Sequence, residues 1–208
     1  MARKICVLAS GGIDSSALVA DFLRRGREVF PLYVSCGFYW EKAELAWLRR
    51  YLRALRGPRL RPLTVTRAPM RSLLPARHWA LTGRGVPASG DAWDSVYLPA
   101  RNMVLLGQAG VFCAVRGIPE VALAILKGNP FDDATPRFLK TMERALSLSL
   151  SAAPKVRAPY LRLTKAQVVR RAGDAPLRLS FPCLKPRGLR ECGRCSKCEE
   201  KAMLGMNG

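Results

Sequence analysis

Apolar residues fall along this chain in two alternating rhythms. KICVLAS (Lys4–Ser10) is short, apolar and β-branched, the pattern of a buried strand. From Asp14 the period lengthens: Leu18 and Phe22 stand four apart, with Val19 and Leu23 beside them. Asp21, Arg24 and Arg25 fall on the other side, which predicts an amphipathic helix over Asp14–Arg25. EVFPLYVSC (Glu28–Cys36) predicts a second strand, and EKAELAWLRRYLRALRG (Glu41–Gly57) a helix stopped by Gly57 and Pro58. RLRPLTVTR (59–67) predicts a third, shorter strand. From Ala68 to Ser95 the pattern weakens under Pro69, Pro75, Gly83, Gly85, Pro87 and Gly90; a connection of that length in a compact domain is either functional or mobile.

The alternation then resumes. YLPARNMVLLGQAGVFCAVRG (97–117) predicts a buried helix with Pro99 at its start, and EVALAIL (120–126) a fourth strand. TPRFLKTMERALSLSL (135–150) is an amphipathic helix capped by Thr135 and followed by Pro136. LTKAQVVRRAG (163–173) is a last short helix with Thr164 as its cap. Strands separated by helices of these lengths indicate βαβ units and a parallel sheet. No internal repeat or low-complexity segment interrupts the series.

Composition narrows the class. The 208 residues suffice for one well-buried domain, and 49% hydrophobic with 24% charged residues is ordinary for a globular chain. No apolar run approaches the roughly 18 residues of a membrane span, and the N-terminus enters a strand without a leader-like pattern, so a soluble, cytoplasmic protein is expected. The net charge of +20 favours anionic substrates. Its basic residues are scattered in pairs such as Arg24–Arg25, Arg49–Arg50 and Arg170–Arg171, without a basic tail or aromatic platform. A nucleic-acid partner is therefore possible but not required.

Candidate chemistry begins at SGGIDSS (Ser10–Ser16), the seam between first strand and first helix. Glycines there let backbone amides approach an anion, the helix points its positive end at the same place, and serine hydroxyls add donors. Asp14 suits such a site only by holding a Mg²⁺ that bridges phosphates. Neither the Walker loop nor the dinucleotide fingerprint fits. The segment resembles the SGGxDS pyrophosphate loop of the N-type ATP pyrophosphatases, with Ser10, Gly11, Gly12, Asp14 and Ser15 in place and Ile13 at the variable position. A plain serine-capped turn is the other reading.

The tail, SFPCLKPRGLRECGRCSKCEE, places Cys183, Cys192, Cys195 and Cys198 within sixteen positions. That spacing suits a structural tetrahedral Zn²⁺, with an iron–sulfur cluster as the alternative. Cys6, Cys36 and Cys113 sit in apolar segments as inert thiols, and His78 is the only histidine.

With VYLPARNMVLL (Val96–Leu106), which resembles a Pro-x-Arg-Asn segment opening a helix, the loop and the cysteines together resemble the 7-cyano-7-deazaguanine synthase family over essentially the whole chain. The resemblance implies an adenine nucleotide α-hydrolase-like fold: a three-layer α/β sandwich with a parallel sheet, ligands lying beyond the strands' carboxyl ends beside the first strand. It implies residues 1–176 as the ATP-binding part and 177–208 as a zinc knot packed on it. The implied enzyme is an ATP-dependent C–N ligase turning 7-carboxy-7-deazaguanine and ammonia into 7-cyano-7-deazaguanine, a precursor of queuosine and archaeosine. Adenylation of the carboxylate, then of the amide, drives that reaction. Leu8, Ala9, Ser10, Gly11, Gly12, Ile13, Asp14, Ser15, Ser16 and Asn102 are then expected around the nucleotide. Ser10, Asp14, Ser15 and Arg101 are expected in catalysis, and Asp132, Asp133 and Arg101 at the substrate. A homodimer that needs no membrane is also implied.

The chain departs from the family at three places. Ile13 stands where glutamine is usual, CGFYWEKAE where a polar histidine-containing segment is usual, and KGNPFDDATPRF where a longer acidic segment is usual. Phe38, Tyr39 and Trp40 are thus either a purine platform or core. Asp132 and Asp133 either read the base or cap a helix. A paralogue acting on another carboxylate or on a tRNA base is the alternative; a zinc-bearing interaction protein without catalysis is opposed by the intact loop.

Overall fold

The computed structural model describes residues 3–88, 90–91 and 93–206. In chain order the elements are β1 (Lys4–Leu8), α1 (Ile13–Arg24), β2 (Glu28–Ser35), α2 (Glu41–Leu55), β3 (Thr64–Arg67), α3 (Trp79–Thr82), α4 (Arg101–Arg116), β4 (Glu120–Ala122), α5 (Pro136–Ser149), β5 (Lys155–Arg157), α6 (Lys165–Ala172) and α7 (Ser196–Met203). The five strands form one sheet in the order β3-β2-β1-β4-β5, and every pairing is parallel. β1 carries β2 on one side and β4 on the other, so the chain winds outward through β2 and β3 and then crosses back to build β4 and β5 on the opposite side. A crevice opens at the carboxyl end of β1.

β1 shows why three layers form. Ile5 and Val7 face one apolar cluster with Leu18 and Phe22 of α1, Leu48 and Tyr51 of α2, and Val168 of α6. Cys6 and Leu8 face the other, with Leu106 and Phe112 of α4 and Leu139 of α5. Successive side chains of a strand point to opposite faces, so a run apolar at every position must be covered twice. No helix among the described residues is long and apolar enough to cross a membrane.

The expected helix caps are present. Thr135 accepts a hydrogen bond from Phe138 N at 3.1 Å at the start of α5, and Thr164 forms a capping box with Gln167 at the start of α6. Elsewhere the structure corrects the pattern. Pro99 does not enter a helix; α4 starts at Arg101, after Ala100 has turned into the left-handed region at φ 53°. Nor is α4 buried all round, since Met103, Val111 and Val115 are exposed along one side. Beside that stripe the helix packs so closely on α5 that a Cβ at Gly110 would lie 2.4 Å from Leu146 Cδ2.

β4 is shorter than its apolar run, ending at Ala122. The fifth strand and α7 have no counterpart in the hydrophobic pattern. In the 68–95 connection, α3 is capped by His78, whose Nδ1 accepts from Ala80 N at 3.2 Å, and Ala88 bridges to Cys195. Residues 89 and 92 of that connection lie outside the described residues.

Candidate active site

The loop after β1 is held by its own serines. Ser15 Oγ accepts from Ser10 N and Gly11 N, both at 3.2 Å, and lies 3.1 Å from Ser10 Oγ, which in turn accepts from Gly12 N at 3.2 Å. Gly11 has φ +92°, and a Cβ there would meet Leu48 Cβ at 3.1 Å and Glu44 O at 3.3 Å. Glycine is required twice over, by conformation and by the closeness of α2. Gly12 is the N-cap of α1 and brings no side-chain acceptor to the first turn. The amides there remain oriented donors. Ser16 is fully buried behind the loop, where the Tyr51 hydroxyl donates to its carbonyl at 2.7 Å; neither it nor Ala9, which packs in the core, lines the cavity.

That cavity has two lobes, about 280 and 640 Å³, which share Asp14, Arg101 and Lys165 among their walls. Asp14 Oδ2 accepts from Lys165 Nζ at 2.7 Å, while the buried Oδ1 has no hydrogen-bond partner among the described residues. Burial raises the Asp14 carboxyl above the usual range, against the pull of Lys165. Lys165 Nζ also contacts Glu200 Oε1 at 2.9 Å, and Glu200 Oε2 receives Lys197 Nζ at 3.2 Å. Burial works against the Lys165 ammonium, but Asp14 and Glu200 together hold it above its ordinary value.

Lys165, Lys197 and Glu200 were not legible as site residues. One signal was present: Lys165 is the first residue of α6, and a cation at a helix start opposes the macrodipole unless acids answer it.

Arg101 projects from the start of α4 to the shared wall. Its guanidinium lies over the Phe38 ring at 5.7 Å, and its buried Nε has no partner among the described residues. A left-handed Ala100 immediately before it is a strained conformation, and such strain persists only where surrounding structure enforces it. Below Arg101, Glu44 is buried and accepts from the Tyr33 hydroxyl at 2.7 Å. Burial pushes its carboxyl up to about 8, with Arg101 restraining the rise.

The aromatic segment divides. Phe38 and Trp40 are core residues stacked at 4.9 Å, Trp40 stacks on Trp79 at 5.6 Å, and Trp40 and Trp79 also wall the larger lobe. Exposed Tyr39 covers Gly83.

Asn102 and Asp133 hold each other. Asp133 Oδ2 accepts from Asn102 N at 2.9 Å, and Asn102 Nδ2 donates to Asp133 O at 3.0 Å. The buried Asp133 carboxylate therefore sits on the first turn of α4, while Asp132 is exposed. At the far end, the Sγ atoms of Cys183, Cys192, Cys195 and Cys198 lie within 4.8 Å of one another. The Cys195–Cys198 and Cys192–Cys198 separations are 3.5 and 3.9 Å. Four thiolates on one tetrahedral zinc ion stand about 3.8 Å apart, so the donors fit a single metal ion.

A parallel sheet reversing at β1, with a glycine–serine loop at that strand's end and an acid opening the next helix, defines an α/β enzyme of the PP-loop class. Two solved structures share the fold. One, a predicted subunit of tRNA methyltransferase from Methanocaldococcus jannaschii, has TM-score 0.53 and 12% identity over 83% of this chain and 75% of that one. The other, a 4-thiouridine synthetase–RNA complex with bound ATP, has TM-score 0.52 and 18% identity over 98% of this chain and 50% of that one.

Residues 4–204 match the family described as queuosine biosynthesis protein QueC, and the chain belongs to that family. It is 33% identical to 7-cyano-7-deazaguanine synthase of Anaeromyxobacter dehalogenans (strain 2CP-C), over 95% of this chain and 88% of the relative. It is 30% identical to 7-cyano-7-deazaguanine synthase 1 of Desulfitobacterium hafniense (strain Y51), over 96% and 90%. A 7-cyano-7-deazaguanine synthase of Picrophilus torridus is 29% identical over 95% and 84%.

Proposed function

We propose that the chain is an ATP-dependent ligase converting 7-carboxy-7-deazaguanine and ammonia to 7-cyano-7-deazaguanine, in the formation of queuosine and archaeosine. The observation that carries this is the family match over residues 4–204, made on a chain whose nucleotide loop and cavity are intact. The amides opening α1 and the Ser10 and Ser15 hydroxyls receive the phosphates of ATP. Their present bonds, at 3.1 to 3.2 Å, are at the long end of the range, and a phosphate oxygen is the stronger acceptor.

Asp14 Oδ1, buried and unpartnered, is the atom suited to Mg²⁺, which would neutralise phosphate charge when bound. Arg101 faces the charge that develops during adenylyl transfer, its planar guanidinium fixed over Phe38. The larger lobe, walled by Trp40, Trp79 and Phe131, takes the deazapurine. The four thiolates hold Zn²⁺ as a structural ion.

The exposed stripe Met103, Val111 and Val115 on α4 is the surface for a second copy, giving a homodimer. The purified protein, given ATP, Mg²⁺, ammonia and 7-carboxy-7-deazaguanine, is expected to release AMP and form the nitrile, followed by mass spectrometry. AMP released only with a different acid would move the function to a paralogue.

A further inference from the structure

α7 starts at one metal-binding cysteine, Cys195, and carries another, Cys198, in its first turn. An eight-residue helix is marginal by itself; buried Lys201, bonded to Arg178 O, Ser180 O and Glu191, holds it, and ligation at the two cysteines would add a second anchor. From that anchored helix two chains of contact run to opposite sides of the nucleotide loop. The first is ionic: Glu200 contacts Lys165 Nζ at 2.9 Å, and Lys165 contacts Asp14 Oδ2 at 2.7 Å. The second runs through backbone: buried Lys201 donates to Ser180 O at 2.8 Å, and the next amide, Phe181 N, donates to Gly11 O at 2.7 Å. Glu200 and Lys201 are successive residues, yet one reaches the acid of the loop and the other its glycine turn.

We infer that Lys165 and Glu200 are positioning residues for the nucleotide's cation, and that the four-cysteine centre acts on the active site through them. Lys165 occupies Asp14 Oδ2 and so leaves Oδ1 as the oxygen turned to the cation. Glu200 shares the Lys165 ammonium with Asp14 and so fixes where that charge stands beside the cation site. The side chains of Lys165, Asp14 and Glu200 are only 20%, 27% and 26% exposed, so the network is shielded from full solvent screening. Residues that orient a metal ligand without touching the metal typically change its affinity 10- to 100-fold when replaced. The inference rests on the assignment of Asp14 to Mg²⁺.

The test is equilibrium binding of α,β-methylene ATP at increasing Mg²⁺, which needs no acyl substrate and no turnover. Glu200→Gln is expected to raise the Mg²⁺ concentration at half-saturation about 10-fold, read against the variant's own Mg²⁺-free affinity. Glu200→Asp is expected to recover part of the difference. Cys192→Ser, which removes one thiolate but leaves α7's own cysteines, is expected to show the same shift with Glu200 intact. Wild-type Mg²⁺ dependence in Glu200→Gln overturns the inference, even should Cys192→Ser fail to fold. Wild-type protein that binds no nucleotide at all would instead sink the proposed function, and this inference with it.

Discussion

The two sides of the nucleotide cavity are built on opposite plans. One side is a single stretch, Ser10 to Ser15, in which every amide, hydroxyl and carboxylate comes from consecutive residues at the end of one strand. The facing side is assembled from Arg101, Lys165, Lys197 and Glu200, borne on α4, α6 and α7. The contiguous side depends on backbone geometry, because a turn of this tightness sets the direction of its own donors. The assembled side depends on charge: Lys165 sits against its own helix dipole and stays because Asp14 and Glu200 hold it. Damage to the first side should abolish function at one blow, whereas damage to Lys165, Lys197 or Glu200 on the second should shift affinities.

Four substitutions sharpen that contrast. The largest effect is expected for Asp14→Asn, with AMP release falling on the order of 10³-fold. Its melting temperature should hold or rise, because a desolvated carboxylate is removed; a clear drop in melting temperature would mean Asp14 serves the fold instead. Gly11→Ala comes next. Its Cβ meets Leu48 and Glu44 O in a left-handed conformation, and denaturant titration should show a loss of about 1–3 kcal/mol.

Glu44→Gln tests the floor of the site through pH. With the folded carboxyl raised to about 8 from an ordinary 4.5, the folded state holds a proton that the unfolded chain gives up. The wild-type protein should therefore lose stability as pH rises between those values, a slope absent in the glutamine variant. Parallel melting curves from pH 5 to 9 would show that Glu44 is not the titrating group. The smallest effect on turnover belongs to Val111→Asp. It should convert the proposed dimer to a monomer in sedimentation, with nucleotide binding unchanged, since Val111 is outside the cavity and exposed on α4.

The same contrast explains what could be read from the chain beforehand. β1, its loop and α1 were legible because an apolar run, two glycines and an amphipathic period follow one another without a gap. The cysteines were legible because ligand spacing is local. The Thr135 and Thr164 caps were legible because capping is decided within four residues. β5 was not, because Lys155–Arg157 is three residues with both ends exposed and pairs only at the sheet edge. α7 was hidden because its buried positions are Cys198 and Lys201, neither of which registers as an apolar stripe. Asp133 was assigned two alternatives, base recognition or a cap before Thr135, and the structure sets its carboxylate at Asn102 on α4, thirty-one residues away in sequence. No local pattern encodes such a pairing.

The bond from Phe181 N to Gly11 O has a consequence for how the molecule is made. A ribosome delivers β1 and its loop well before residues 181–200, and domains begin to fold while synthesis proceeds. Phe181, which bonds the loop's glycine turn, and then Glu200, which holds Lys165 beside Asp14, leave the exit tunnel only after β5 and α6. Until they emerge the growing polypeptide carries the sequence of a nucleotide loop without its final bracing, and competence for ATP should arrive abruptly, with the emergence of α7.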